Sequence, residues 1–159
     1  MARSGSADER APAHGRLNMA VNSPLVERKI TLILADLPRV AELAAMGIET
    51  YLCDARNEAL AERYLERIIG RAIDINYHLV TETLGTTPKD YADSFFQLVP
   101  AGVLDREGSL TFARLAGLRN RITHDYNGID ERIIHESLGR VAADLPTYLR
   151  AVNTFLARA

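Results

Sequence analysis

The sequence predicts an all-α protein, an up-and-down bundle of four or five helices. Three observations carry that reading. Apolar residues recur at helical spacing through several long segments. No segment alternates with period two over a useful length. Residues that start and stop helices fall between the periodic segments. A chain of 159 residues is most simply one domain, long enough to bury a real core.

Residues 1–22 are rich in Ala, Ser, Gly, Arg and Pro and show no periodicity. They are expected to form a disordered tail ahead of a helical domain at 23–159. Met19 offers a second candidate start beside Met1. Ser23-Pro24 is a helix-start pair, Ser as N-cap and Pro in the first turn. Val26, Ile30, Ile33, Leu37, Val40 and Ala44 then mark one helical face. Pro38 predicts a kink or a break near Leu37, and Gly47 fits a C-terminal cap. From about Thr50 to Leu84 there is no proline and the spacing stays helical, either continuously or with a break near Asn57. Gly70 is a weak interior spot that permits close approach, and Gly85 ends the run. Thr87-Pro88-Lys89-Asp90 opens a short helix through about Val99, stopped by Pro100-Ala101-Gly102. Leu104 to Gly108 reads as a connector. Leu110, Ala113, Leu118 and Ile122 mark the next helix, and Asp130 caps the last one, in which Pro146 should place a kink.

Composition narrows the function. Apolar residues make up 47% and charged residues 25%, an ordinary globular profile. The formal net charge is −2, so no global basic field is available to hold a nucleic acid, and such a site must be locally basic. Cys53 is the single cysteine, which excludes an intrachain disulfide. No apolar run approaches the roughly 18 residues of a membrane span, and residues 1–22 lack the apolar region of a secretory signal. The expectation is a cytoplasmic chain without membrane contact.

The chemistry concentrates between Arg119 and Tyr126, in Arg-Asn-Arg-Ile-Thr-His-Asp-Tyr. Arginine binds phosphate through a planar fork of donors, and histidine moves protons near neutral pH. On a helix Asn120 and His124, four apart, share a face. Arg119 and His124, five apart, diverge by about 140°. Three arrangements remain open: the helix unwinds near Thr123-His124, the two side chains meet a large substrate from its sides, or a second subunit completes the site. Read blandly, the pair is an exposed cationic helix end that suits the dipole. Arg71, Asp74 and His78 form another polar stripe, one or two turns long. It is either a solvated face or a lining of the same cleft, with Asp74 pairing to Arg119. The Arg63-Arg67-Arg71 row reads as a solvated face balanced by Glu62, Glu66 and Asp74. Nothing in the sequence resembles a metal cage, and no cofactor is expected.

Arginine, a polar residue, three more, then histidine, one residue and tyrosine resembles the signature of HEPN-domain ribonucleases, in particular the HepT toxin branch. The resemblance runs from about residue 28 to 156. It includes Ala72-Ile-Asp74-Ile-Asn-Tyr-His78-Leu-Val80, Pro88-Lys-Asp-Tyr91, Ala101-Gly-Val-Leu104 and Leu115-Ala-Gly-Leu-Arg119-Asn120. It implies a homodimer whose motif helices face each other across a cleft, pooling two Arg119 and two His124 side chains. It also implies metal-independent cleavage of RNA, with Asn120 assisting. The implied partner is an MntA-like nucleotidyltransferase antitoxin, which transfers AMP to the tyrosine that Tyr126 matches. The alternative reading is a catalytically silent HEPN subunit that helps a nucleotidyltransferase hold its substrate.

Overall fold

A computed structural model describes residues 21–125 and 127–159. The tail at 1–20 and Tyr126 lie outside the described residues. Among the described residues there are six helices: α1 (Ser23–Ala45), α2 (Ile48–Leu52), α3 (Ala55–Leu84), α4 (Tyr91–Phe96), α5 (Arg106–His124) and α6 (Glu131–Leu156). Four are long and two are short turns inserted between them. The architecture is the expected all-α bundle.

Helix ends follow local chemistry. Asn22, not Ser23, caps α1, its side-chain oxygen accepting the Leu25 N–H at 3.1 Å. The cap of the first helix therefore lies one residue before the expected boundary at 23. Gly47 is not a C-terminal cap: its φ is −59° and it stands as N-cap of α2. The helical run is broken at Cys53-Asp54, close to the break expected near Asn57, and the long helix starts at Ala55, where Asp54 accepts the Arg56 N–H. Asp90, Asp105 and Asp130 each cap the helix that follows, as aspartate does by satisfying a free first-turn donor. Asp105 puts the start of α5 inside the segment read as a connector. Gly85 closes α3 at φ 68°, a left-handed position that glycine occupies without a Cβ penalty. Both α1 and α6 continue through their prolines.

The central element is α3, which packs against each of the other five helices. Leu65, Ile68, Ile69, Ala72, Ile75 and Leu79 are wholly buried along it. Each large aliphatic side chain buried this way contributes about 1.5–3 kcal/mol. Two polar fixtures set how the neighbours sit on α3. On the α1 side, the buried Asp36 carboxylate takes Arg71 Nη1 at 2.6 Å and Arg67 Nη2 at 3.2 Å, and Arg71 also donates to the Leu32 carbonyl. On the other side, Asn76 is fully buried. It accepts from the Tyr148 hydroxyl of α6 at 2.7 Å and donates to Ser94 Oγ of α4 at 3.1 Å. Ser94 donates in turn to the Tyr91 carbonyl at 2.6 Å. Asn76 thus ties three helices together.

A third fixture holds the start of α6. The buried Tyr51 hydroxyl donates to Glu131 Oε2 at 3.1 Å. The His135 ring lies 4.8 Å from that of Tyr51 and reaches the Met46 carbonyl at 2.8 Å. His135 thereby joins α6 to the end of α1. Burial, together with the nearby Glu62 and Glu58 carboxylates, pushes Glu131 up to about 7, against a hydrogen bond from Tyr51 that pulls it down. The folded chain holds this proton more tightly than the unfolded chain. Its stabilising contribution is therefore complete below about pH 4.5 and is lost as pH rises through about 7. Thermal melts should show Glu131→Gln matching wild type at pH 5 and exceeding it at pH 8. A variant less stable than wild type at both pH values would show instead that the carboxylate is required.

Candidate functional site

The site sits at the C-terminal end of α5. This helix buries Ser109, Phe112, Leu115 and Ala116 against the bundle, which fixes its rotation. It continues through His124, and the Asp125 N–H closes its last turn on the Arg121 carbonyl at 2.9 Å. Helix unwinding near Thr123-His124 is therefore not how the motif is arranged. Arg121 and His124 stand in the last turn, where the dipole favours cations. Gly128, at φ 83°, then turns the chain into the Asp130 cap of α6. A side chain at that position would be strained.

Rotation divides the motif. Asn120, Arg121, His124 and Asp125 line an open groove of about 510 Å³. Asn120 and His124 share it, as their spacing predicts. Arg121 joins them and was not singled out from the sequence, although its three-residue spacing from His124 gave the signal. Arg119 lies outside that lining. Its guanidinium carbon sits 4.8 Å above the Tyr91 ring of α4. Its Nε is buried without a hydrogen-bond partner among the described residues. A Cβ at Gly70 of α3 would stand 3.7 Å from that nitrogen. One protomer therefore does not gather Arg119 and His124 on one side of the helix.

The second stripe serves the scaffold. Arg71 is held by Asp36, and Asp74 takes Lys29 Nζ at 2.8 Å. His78 Nε2 accepts the Asn22 backbone N–H at 3.1 Å. All three partners belong to α1 or its cap, so the expected Asp74–Arg119 pair is not formed. The Asp74 carboxylate is taken by Lys29 of α1 instead. The arginine row is likewise not a uniform solvated face, since Arg67 and Arg71 converge on Asp36 while Arg63 pairs with Glu66. Among the described residues no group of three or more His, Cys, Asp or Glu side chains is arranged to hold a metal ion. No described helix is long and apolar enough to cross a membrane.

Comparison with known proteins gives this geometry a family. The chain is similar to the tRNA nuclease HepT of Aphanizomenon flos-aquae, 26% identical over 132 residues that cover 83% of this chain and 90% of the relative. Its fold is similar to that of the tri-AMPylated HEPN toxin of Shewanella oneidensis, solved in complex with an MNT antitoxin. The TM-score is 0.73 at 21% identity, covering 82% of this chain and 97% of the other. A toxin–antitoxin structure with AMP-PNP gives a TM-score of 0.74 at 20% identity, with 82% and 98% covered. The model of the family described as "Ribonuclease HepT-like" matches residues 33–152, from the middle of α1 to the last turns of α6. The chain belongs to the HepT-like ribonuclease family.

Proposed function

We propose that this chain is the endoribonuclease toxin of a toxin–antitoxin pair, cutting RNA through the RNA's own 2′-hydroxyl. The observation that carries the reading is the complete Arg119–Asn120–His124–Tyr126 motif in a HepT-like chain, with Asn120 and His124 side by side in an open groove. The substrate class we infer is a folded RNA such as tRNA, the substrate named for the Aphanizomenon relative. In the reaction a base takes the 2′-hydroxyl proton and the freed oxygen attacks phosphorus. The bond to the 5′-oxygen breaks as an acid protonates that oxygen. The products are a 2′,3′-cyclic phosphate and a 5′-hydroxyl. His124 supplies the proton transfers. Arg119 binds the phosphate and stabilises charge on the pentacoordinate transition state, and Asn120 orients His124 or donates to a phosphate oxygen. All of this proceeds without a metal ion.

The divergence of Arg119 from His124 favours a two-fold dimer in which the ends of α5 from two copies face one RNA. The motif helix α5, with the long helix α3 beside it, is the contact expected between the two copies. The same divergence also gives the second reading its support: an isolated protomer acting as a silent HEPN subunit. Sedimentation at micromolar concentration should show a particle of about twice the chain mass, the commonest closed assembly. A strictly monomeric chain that still cleaves RNA would remove the composite site.

RNA cleavage should survive EDTA and leave 2′,3′-cyclic phosphate ends. Arg119→Ala and His124→Ala should each abolish it at unchanged melting temperature. Arg119→Lys should rescue poorly, because an ammonium lacks the planar fork. Alanine variants as active as wild type would make the motif structural. Growth arrest on expression of wild type, absent for His124→Ala, separates the toxin from the silent subunit.

Silencing follows from the motif's last residue. A nucleotidyltransferase partner adds AMP to the Tyr126 oxygen, and the new phosphate competes for the arginines of the site. The Shewanella toxin is tri-AMPylated in its structure, and the acceptor we propose in this chain is Tyr126, two residues past His124. Incubation with such a partner, ATP and magnesium should add multiples of about 329 Da, a modification of the charge-changing kind. Tyr126→Phe should keep nuclease activity and resist silencing. Modification of that variant at the wild-type rate would place the acceptor elsewhere.

A further inference from the structure

We propose that Tyr91 is a positioning residue for Arg119, holding its guanidinium in one orientation from a platform on α4. The inference rests on the reading of Arg119 as the phosphate-binding residue of an RNA-cleaving site. It assigns to α4 a part in the chemistry that the motif on α5 does not contain.

The seat has two walls. The Tyr91 ring lies under the guanidinium at 4.8 Å from its central carbon, within the range of a cation–π contact. Gly70, lacking a side chain, lets the α3 backbone come close to Arg119 Nε. Between them Nε is buried and has no acceptor among the described residues. A buried donor left without an acceptor is unfavourable, so the surroundings must hold it there. Neither wall forms a hydrogen bond to the guanidinium, so its terminal N–H groups are not consumed in making the seat. An acidic partner would compete with a phosphate for the same fork. An aromatic face favours the cation without competing for its donors.

The platform is itself fixed. The Tyr77 ring of α3 meets the Tyr91 ring edge-on at 6.5 Å. The Tyr91 carbonyl accepts from Ser94, Ser94 Oγ accepts from Asn76, and Asn76 accepts from Tyr148. Tyr91 thus stands on a buried chain that crosses the bundle from α6 through α3. The ring, not the hydroxyl, faces Arg119.

The test compares Tyr91→Phe, which keeps the ring, with Tyr91→Leu, which keeps bulk and loses the π face. RNA cleavage should fall about tenfold in kcat/KM for Tyr91→Leu, the scale of a partly desolvated cation–π contact. For Tyr91→Phe it should stay within about twofold. Melting temperatures of both should stay close to wild type. RNA affinity, measured in a His124→Ala background, should fall for Tyr91→Leu, yet Tyr91→Leu should add nothing once Arg119 is alanine. An activity-independent reading comes from NMR: the Arg119 Nε–H should be a resolved, slowly exchanging signal in wild type and Tyr91→Phe, and fast-exchanging in Tyr91→Leu. Equal Nε–H protection in Tyr91→Leu and wild type overturns the inference. So does a Tyr91→Leu effect that persists in the absence of Arg119. If wild type itself failed to cleave RNA while the NMR contrast held, the seat would stand and the RNA-cleavage reading would fall.

Discussion

The arrangement of this molecule depends on one buried carboxamide. Asn76 sits in the C-terminal third of α3 with no exposure to solvent. Left alone there it would destabilise the fold, because a buried polar group without partners loses its hydration and gains nothing. It is satisfied from both sides, by Tyr148 of α6 and Ser94 of α4. Each such bond contributes only about 0.5–1.5 kcal/mol net. Their value lies in direction. Apolar packing tolerates small slides and rotations, whereas a carboxamide with two fixed partners does not. The short helix α4 has six residues and could not hold its own orientation by helix propensity. Its docking through Ser94 supplies that orientation and thereby places Tyr91 beneath Arg119.

Asp36 does the corresponding work between α1 and α3. Two arginines on one carboxylate leave the charges incompletely balanced within the group, and its partial exposure lets water share the load. A buried ion pair of this kind specifies which faces meet more than it adds to net stability. It also explains why Arg67 and Arg71, spaced four apart on α3, turn toward α1, while Arg63 stays exposed beside Glu66.

The helices were legible because each repeats its signal many times. Val26, Ile30, Ile33 and Val40 all became core, and an error at one of them would have changed nothing. Caps were less legible because each rests on one residue. Asn22 and Ser23 are both good caps, and the tertiary bond from the Asn22 N–H to His78 selects the earlier one. The 140° divergence of Arg119 from His124 was legible from helical geometry and survives in the structure, because α5 stays helical through His124. Which way each residue faced was not legible. That depends on the phase of α5, set by Phe112, Leu115 and Ala116 in the core. For the same reason Asp74 could not be assigned from spacing alone. A stripe predicts that its members share a direction and leaves open which helix lies there.

Charge was the other constraint visible from the start: a chain of net charge −2 must make any polyanion site locally. Many of the basic side chains elsewhere are taken up in ion pairs. Arg67 and Arg71 serve Asp36, Lys29 serves Asp74, Arg56 serves Asp54, and Arg39, Arg63 and Arg140 pair along their own helices. Along α5, Arg114, Arg119 and Arg121 make no ion pair among the described residues, and only Asp125 faces the groove as an acid. An overall acidic chain thus presents a cationic end on one helix. At physiological salt, exposed charges farther apart than about 8 Å are largely screened from each other. A phosphate arriving at this end therefore meets the local arginines rather than the net charge. Arg119 differs from its two neighbours because its Nε is shielded from water, so part of its dehydration is already complete before substrate arrives. A partly desolvated guanidinium interacts more strongly with an anion than one in bulk water. Under the proposed function, that difference suits Arg119 to stabilising charge during reaction.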